Sequence, residues 1–140
     1  MAGKAAGVEA GRLAGQVPLA DHGGLVAVLL QVAGEQGLRV VELLGESDWP
    51  VVKENGLVCA MCNGPDSIGY GWNRVEHYHK LLAGFEKAIP EVATFGYPNI
   101  ITFSGNRRGM SDAQGIENCV KGLKRLAPIA EQHNVTVILE

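Results

Sequence analysis

The stretch PNIITFSGNRRG, residues 98–109, indicates more about the fold than any other part of the chain. Its first half contains the predicted strand Asn99–Phe103, which has no charge and is apolar or β-branched from Ile100 onward. It runs directly into a Gly-flanked loop with Ser104, Asn106 and Arg107. A continuous apolar run of this kind is typical of a strand in a parallel sheet, which is covered on both faces. Polar groups that follow such a strand lie at the carboxyl edge of the sheet, where α/β proteins bind their ligands. The stretch therefore predicts a site for an oxygen-rich or anionic small molecule, and the alternative is a solvated loop with two exposed arginines.

Three further stretches have the same apolar character and predict strands of the same kind. They are Leu38–Leu44, Leu57–Met61 and Val135–Leu139. Helical patterns separate them, in the order helix, strand, short helix, strand, long helix, strand, long helix, strand. Strands that alternate with helices form right-handed βαβ units. The sequence thus predicts an α/β protein built as a parallel βα repeat.

The predicted helices have recognisable ends and apolar faces. Asp21 caps the first helix, Asn73 with Glu76 forms a capping-box-like start of the third, and Ser111 begins the fourth. Pro90 interrupts the third helix and predicts a kink. The predicted buried faces are Leu25, Val28, Leu29 and Val32 in the first helix, Tyr78, Leu81, Leu82, Phe85, Ile89 and Val92 in the third, and Ile116, Cys119, Val120, Leu123, Ala127 and Ala130 in the fourth.

Composition and charge exclude several classes of protein. With 46% apolar and 19% charged residues, the chain has the composition of one soluble globular domain. Twelve basic against 15 acidic residues leave no basic excess for a phosphate backbone, so we expect no nucleic-acid partner. The longest charge-free apolar stretch, about Leu25–Gly34, falls short of the roughly 18 residues of a membrane span. Without a secretory signal pattern, we expect a cytoplasmic protein with no membrane partner.

Two residue pairs resemble metal or redox motifs but have the wrong spacing for their predicted elements. Cys59 and Cys62 form a CxxC, yet residues three apart on a strand point to opposite faces, so we expect no shared metal or disulfide. His77 and His79 are separated by about 200° around a helix and cannot chelate one ion together. Three cysteines in a chain of this size fit a reducing compartment.

Three stretches carry a resemblance to a known family. Residues 71–77 (GWNRVEH), residues 98–107 (PNIITFSGNR) and the run from residues 115–119 (GIENC) to residues 137–140 (VILE) resemble hydroxypyruvate isomerase and the related xylose-isomerase-like TIM-barrel sugar isomerases and epimerases. The resemblance extends over about residues 38–140. It implies that the four strands are the second to fifth of an eight-stranded barrel, so that the chain is an incomplete TIM (β/α)8 barrel. A whole barrel of this kind takes roughly 200 residues or more, and the chain has 140.

The resemblance also implies a chemistry and a set of site residues. Family members interconvert aldose and ketose forms of small hydroxy-carbonyl substrates by proton transfer through an enediol, assisted by a divalent cation, Mg²⁺ or Mn²⁺. Glu140 matches a catalytic carboxylate that is also a metal ligand, whereas the ligands of the sixth to eighth strands have no counterpart. Asn63, Ser104 and Asn106 match substrate-orienting positions, and Arg107 is the expected partner of a substrate carboxylate.

The expected domain organisation is a low-complexity leader at residues 1–17, rich in Ala and Gly, followed by one partial barrel at residues 18–140. Because the matching ligands stop at Glu140, the chain alone is expected to be inactive. Its leading alternative is a catalytically silent fragment or interaction module, whose open sheet edges favour a homo-oligomer. Another sugar epimerase of the same barrel family is a second alternative. A DNA-repair endonuclease on a related barrel is a third, which the acidic balance disfavours.

Overall fold

The structure is a computed structural model that describes residues 24–140. Four strands form one parallel sheet in the order β1-β2-β3-β4, which confirms the predicted parallel βα repeat. The predicted leader and the capping residue Asp21 lie outside the described residues. The elements in chain order are α1 (Leu25–Glu35), β1 (Val40–Leu44), α2 (Trp49–Glu54), β2 (Val58–Cys62), a single 3₁₀ turn (Val75–His77), α3 (Tyr78–Phe95), β3 (Asn99–Thr102), α4 (Asp112–Gln132) and β4 (Thr136–Leu139).

The sequential strand order places all the helices on one face of the sheet. Crossovers between neighbouring parallel strands are right-handed as a rule, and this rule puts consecutive helices on the same side of a sheet with sequential strand order. They form one layer in which α1 packs on α2, α2 on α3, and α3 on α4. A singly wound sheet with one helical layer is the arrangement of consecutive units of a (β/α)8 barrel, so the described residues form the predicted incomplete barrel.

The hydrophobic core lies between the sheet and this helical layer. Its wholly buried side chains include Trp49, Trp72, Phe85 and Ile100. The predicted stripe of α3 is confirmed, because all its members are buried except Leu82, which is half-buried. Pro90 lies inside α3, and Gly96 ends it in the left-handed region with φ of 77°.

One predicted helix cap is confirmed and one is wrong. The Ser111 hydroxyl accepts a hydrogen bond from the backbone N–H of Gln114 at 3.3 Å, as a helix cap does. No side chain caps α3, because Asn73 is buried and its amide instead donates to the backbone oxygen of Asn106. A buried amide must be satisfied, and this long-range bond does so in place of the local cap.

The buried faces predicted for α1 and α4 are largely wrong. In α1 the buried residues are Ala27 and Leu30, whereas all four predicted residues are 47–74% exposed. In α4, Cys119 and Ala130 are buried as predicted and Leu123 is half-buried, but Ile116, Val120 and Ala127 are exposed. Within residues 24–140 these two helices end the layer and have a neighbour on one side only. Each therefore buries the face toward that neighbour and leaves apolar side chains on the other.

A β-bulge alters the regular alternation of faces that was expected between Cys59 and Cys62, both of which are free thiols. Val41 pairs with Cys59 and Glu42 with Met61, so the register shifts and one residue of β2, Ala60, is left without an opposite partner. The extra residue interrupts the alternation of faces. Both cysteines are buried, and the interaction between their thiols is the largest cause of the pKa shift of each.

No helix in the part of the chain from residue 24 onward combines the length and the apolar character needed to cross a membrane.

Candidate functional site at the carboxyl edge of the sheet

The carboxyl ends of β2, β3 and β4 bring the predicted site residues to one edge of the sheet. Asn63 follows β2, Ser104 lies two residues beyond β3, and Glu140 follows β4. The backbone N–H of Glu140 donates to the Thr102 oxygen at 2.9 Å, and the N–H of Ser104 donates to the Glu140 oxygen at 2.8 Å. The ladder between β3 and β4 therefore continues into the site and holds Ser104 beside Glu140. Glu140 is exposed to solvent.

Asn73 holds the loop that contains Ser104, Asn106 and Arg107 through two hydrogen bonds. The Asn73 amide donates to the Asn106 backbone oxygen at 2.8 Å, and its backbone N–H donates to the Ser104 oxygen at 2.8 Å. The Asn118 amide in turn donates to the Asn73 backbone oxygen at 2.8 Å. These bonds tie the loop to α4, so the backbone of the candidate site is fixed by buried groups.

Two predicted residues make contacts that restrict what they can bind. The Asn63 amide donates to the Leu43 oxygen at 2.9 Å and thereby joins the ends of β1 and β2. The Nε of Arg107 donates to the Met110 oxygen at 3.1 Å and lies 3.3 Å from a carboxylate oxygen of Asp112. Arg107 is thus turned toward the start of α4, while Ser104 and Glu140 lie together at the strand ends.

A buried polar chain beneath the loop was not predicted from the sequence. The indole N–H of Trp72 donates to the Thr102 hydroxyl at 2.6 Å, and that hydroxyl donates to Asp66 Oδ2 at 2.5 Å. The backbone N–H of Phe103 donates to the same oxygen at 2.9 Å. An Asp in a Pro- and Gly-containing loop after a strand was the only signal, and that signal is also typical of a plain turn.

The carboxyl of Asp66 has an unusual environment. Its Oδ1 is buried, and among the described residues it has no hydrogen-bond partner. The pKa of Asp66 is raised above its ordinary value because burial is the largest influence on it. The hydrogen bonds from Thr102 and Phe103 act in the opposite direction and offset only part of this effect. The folded protein therefore binds a proton at Asp66 more readily than the unfolded chain does.

This difference predicts an unusual pH dependence of stability. Stability from a raised carboxyl pKa is fully present below the unfolded value, near 3.8, and is lost as pH rises through the folded pKa. Asp66→Asn keeps an acceptor for Thr102 and Phe103 but cannot titrate. We expect the free energy of unfolding of the wild type, relative to Asp66→Asn, to increase as pH falls from neutral to below 3.8. Urea unfolding across that range measures it, and a difference that instead decreases toward low pH would contradict the assignment.

The two cysteines of β2 form a coupled pair beneath the same edge. The hydrogen bond from Cys62 lowers the pKa of Cys59 to about 7, against burial, which raises it. The same bond, with burial, raises the pKa of Cys62 above its ordinary range. The Cys59 sulfur also lies 3.4 Å from the Met61 oxygen.

We expect one thiolate to form near pH 7 in the wild type, visible as ultraviolet absorbance of the thiolate. Cys62→Ala removes the hydrogen bond that stabilises this thiolate, so the transition moves up toward the ordinary cysteine pKa of 9.0. Cys119→Ala is the matched control, because burial raises the pKa of Cys119 and it contributes no thiolate near neutrality. A neutral-range transition that persists in Cys59→Ala would show that another group is responsible.

The residues present do not make a divalent-cation site by themselves. Within the described range, no group of three or more His, Cys, Asp or Glu side chains lies close enough together to hold an ion. Glu140 supplies one carboxylate at the strand ends. His77 packs elsewhere, since its ring stacks on Tyr70 at 3.8 Å and its Nδ1 lies 3.0 Å from the Gly71 oxygen.

Comparison with known proteins identifies the fold. No model of a protein family and no curated protein sequence matches the chain. Among solved structures, an AP endonuclease of family 2 from Brucella melitensis matches with a TM-score of 0.71 and 16% identity, over 81% of this chain and 48% of that one. A 3-keto-D-glucoside 4-epimerase from E. coli matches with a TM-score of 0.63 and 18% identity, over 81% and 50%. A xylose isomerase domain protein from Planctomyces limnophilus matches with a TM-score of 0.60 and 17% identity, over 79% and 48%.

These matches confirm the predicted fold, which is that of an incomplete xylose-isomerase-like TIM barrel. The chain spans about half the length of each of the three proteins.

Proposed function

We propose that this chain, with the fold of part of a xylose-isomerase-like barrel, contributes to an isomerase or epimerase that acts on a small hydroxy-carbonyl compound. The observation that carries the proposal is the pairing of Glu140 with Ser104 at the carboxyl edge, joined by the 2.8 Å backbone hydrogen bond. It unites an exposed carboxylate with a fixed loop of hydroxyl, amide and guanidinium groups. The similarity to a 3-keto-D-glucoside 4-epimerase and a xylose isomerase domain protein supports the same class of reaction.

Within this class we propose hydroxypyruvate as the substrate and tartronate semialdehyde as the product. Glu140 takes a proton from the hydroxymethyl carbon while the carbonyl oxygen gains a proton, which gives an enediol. The proton on Glu140 then passes to the carbon that carried the carbonyl, and the hydroxyl on the former hydroxymethyl carbon loses its proton as the aldehyde forms. Ser104 and Asn106 donate hydrogen bonds to the substrate oxygens. The guanidinium nitrogens of Arg107 other than Nε bind the substrate carboxylate. Asn63 orients the substrate from the β2 side.

The proposal includes a divalent cation, Mg²⁺ or Mn²⁺. Its other ligands come from outside residues 24–140, because Glu140 is the single strand-end carboxylate that the resemblance assigns to the cation. The proposal also includes a cytoplasmic location and one domain from residue 18 to residue 140.

The test is an isomerase assay with hydroxypyruvate, with and without Mn²⁺ or Mg²⁺. It uses the 140-residue chain and any longer chain encoded in the same reading frame. We expect turnover in a chain that contains Glu140 together with further carboxylate or histidine ligands. Turnover of a ketose epimer pair in place of hydroxypyruvate would favour the epimerase alternative. No turnover of either by a chain with a complete ligand set would reject the proposal in favour of a catalytically silent module.

A nuclease is the second candidate, favoured by the similarity to the family 2 AP endonuclease. Arg107 and Arg108 are exposed beside the candidate site and offer cations to a phosphate backbone. The net charge of −3 opposes such binding. Tight, salt-sensitive binding of a duplex with an abasic site would support the nuclease, and its absence at low salt would support a small-molecule substrate.

A further inference from the structure

Two donor side chains of the loop after β3 reach the loop after β2. A Cβ at residue 69 would lie 3.6 Å from Nδ2 of Asn106 and 3.8 Å from Nη2 of Arg108. An amide and a guanidinium therefore converge on the backbone of Gly69, which has no side chain to fill the space between them. Both residues are exposed, and within residues 24–140 neither side chain forms a hydrogen bond or an ion pair. Their donor groups are available to a ligand.

The two neighbouring arginines of the loop after β3 lie on different sides of it. Arg107 is turned toward the start of α4, where its Nε lies 3.3 Å from a carboxylate oxygen of Asp112. Arg108 lies beside Gly69 instead, in the loop between β2 and α3. The place that Arg108 and Asn106 share is therefore separate from the place at which Arg107 is assigned to a substrate carboxylate.

The backbone holds Arg108 in a conformation that a residue with a side chain rarely adopts. Its φ is 41°, in the left-handed region that favours glycine. Nη2 of Arg74 donates to the backbone oxygens of Arg107 at 3.2 Å and of Arg108 at 3.4 Å, which keeps this part of the loop in place. Strained residues that their surroundings keep in place are concentrated at ligand sites. The strain therefore indicates that the Arg108 side chain has a function at this position.

Positive charge surrounds this part of the loop. Arg74 lies against it through two hydrogen bonds. Nζ of Lys80 lies 5.4 Å from the ring centroid of Tyr70, the residue after Gly69. Within residues 24–140 no carboxylate forms an ion pair with Arg74, Lys80 or Arg108. Three cations without an acidic partner favour a ligand with two negative charges over a ligand with one.

We propose that Arg108 and Asn106 bind a phosphate group above Gly69, either free phosphate or the phosphate end of a small molecule. The guanidinium and the amide donate hydrogen bonds to the phosphate oxygens, and Arg74 and Lys80 add positive charge around them. Because residue 69 is a glycine, the phosphate can lie between the two donors. The inference concerns binding and does not depend on the reaction proposed above.

The first test is a titration of the 140-residue chain with inorganic phosphate at low salt, followed by calorimetry and by the amide NMR signals. We expect saturable binding that shifts the signals of residues 69 and 106–108. Arg108→Gln is expected to weaken it by about tenfold or more, which is the usual effect of losing a hydrogen bond to a charged group. Arg39→Gln is the matched control, because Arg39 is also exposed but immediately precedes β1 at the opposite edge of the sheet. Equal affinities of the two variants, or binding that does not saturate, would overturn the proposal.

The second test separates the built site from general positive charge. Gly69→Val keeps every cation but fills the space between the two donors, and the φ of Gly69 is not positive, so valine fits the backbone. We expect the same loss of phosphate affinity as in Arg108→Gln, and an unchanged affinity would overturn the proposal. Arg108→Gly is expected to lose binding while its midpoint of urea unfolding stays at or above that of the wild type, because glycine adopts the left-handed conformation without strain. A lower midpoint would contradict the strain at this residue.

Two further probes identify the source of the phosphate. Glycerol phosphate that displaces inorganic phosphate from the wild type, but binds Arg108→Gln about tenfold more weakly, would identify the phosphate end of a small molecule as the ligand. Binding of inorganic phosphate without such displacement would identify free phosphate. A short DNA duplex is the second probe. Binding of the duplex without saturable binding of phosphate would overturn the proposal, because the cations would then form a surface for a nucleic-acid backbone.

Discussion

Gly71→Ala is expected to destabilise the fold by about 3 kcal/mol or more, the upper range for overpacking in a site that cannot relax. A Cβ at residue 71 would lie 2.5 Å from the carbonyl carbon of Ser104 and closer still to the Phe103 oxygen. Both atoms belong to the backbone, which cannot move aside as the end of a side chain can. The substitution would therefore break the hydrogen bonds that Trp72 and Asn73 donate to this segment, at 3.2 Å and 2.8 Å.

Urea unfolding of the variant measures this effect, with Gly45→Ala as the matched control. Gly45 also lies in a loop after a strand, but a Cβ there would meet nothing within 4 Å. We expect the control to change the free energy of unfolding by less than about 1 kcal/mol. Equal stabilities of the two variants would show that the loop after β2 does not pack against residues 103–105 as described.

Glu140→Gln is expected to lower kcat by about 10²–10⁴-fold in the chain that carries the activity, which is the usual contribution of a general base. Glutamine keeps the size and hydrogen-bonding capacity of the side chain but cannot accept the substrate proton. Because the backbone of residue 140 is held by hydrogen bonds to Thr102 and Ser104, the substitution leaves the edge of the sheet in place. The loss therefore falls on kcat, with KM changed far less.

Glu131→Gln is the control for this prediction. Glu131 is also an exposed carboxylate, but it lies near the carboxyl end of α4, whereas the loop of the candidate site leads into the amino end of that helix. We expect its kcat to match that of the wild type. Activity of Glu140→Gln within a few-fold of the control would exclude Glu140 as the base.

The sequence predicts the elements of this fold well because their signals are local. The uncharged apolar run predicts the strand at residues 99–102, and Gly96 predicts the end of α3. The faces of α1 and α4 could not be predicted in the same way. Ile116 is apolar and correctly spaced for burial, yet burial depends on a neighbouring element, and within the described residues none packs on that side.

In the candidate site, too, some features could be predicted from the sequence and others could not. Ser104 and Glu140 could be placed together from the sequence because strand ends of a parallel sheet share an edge. The contact of Trp72 with Thr102 joins residues 30 apart and leaves no periodic signal. The proximity of Cys59 and Cys62 depends on a one-residue bulge, which spacing alone does not reveal.

The buried chain under the site has a consequence for the order in which the protein folds. Its hydrogen bonds join residues 30 to 37 positions apart, from Trp72 with Thr102 to Asp66 with Phe103, and the neighbouring bond between Asn118 and Asn73 spans 45 positions. Closing loops of that length costs chain entropy before any contact repays it. Helices can form early, but the loop after β2 finds its partners only when β3 and the start of α4 are in place. The carboxyl edge of the sheet is therefore among the last parts of the molecule to become ordered.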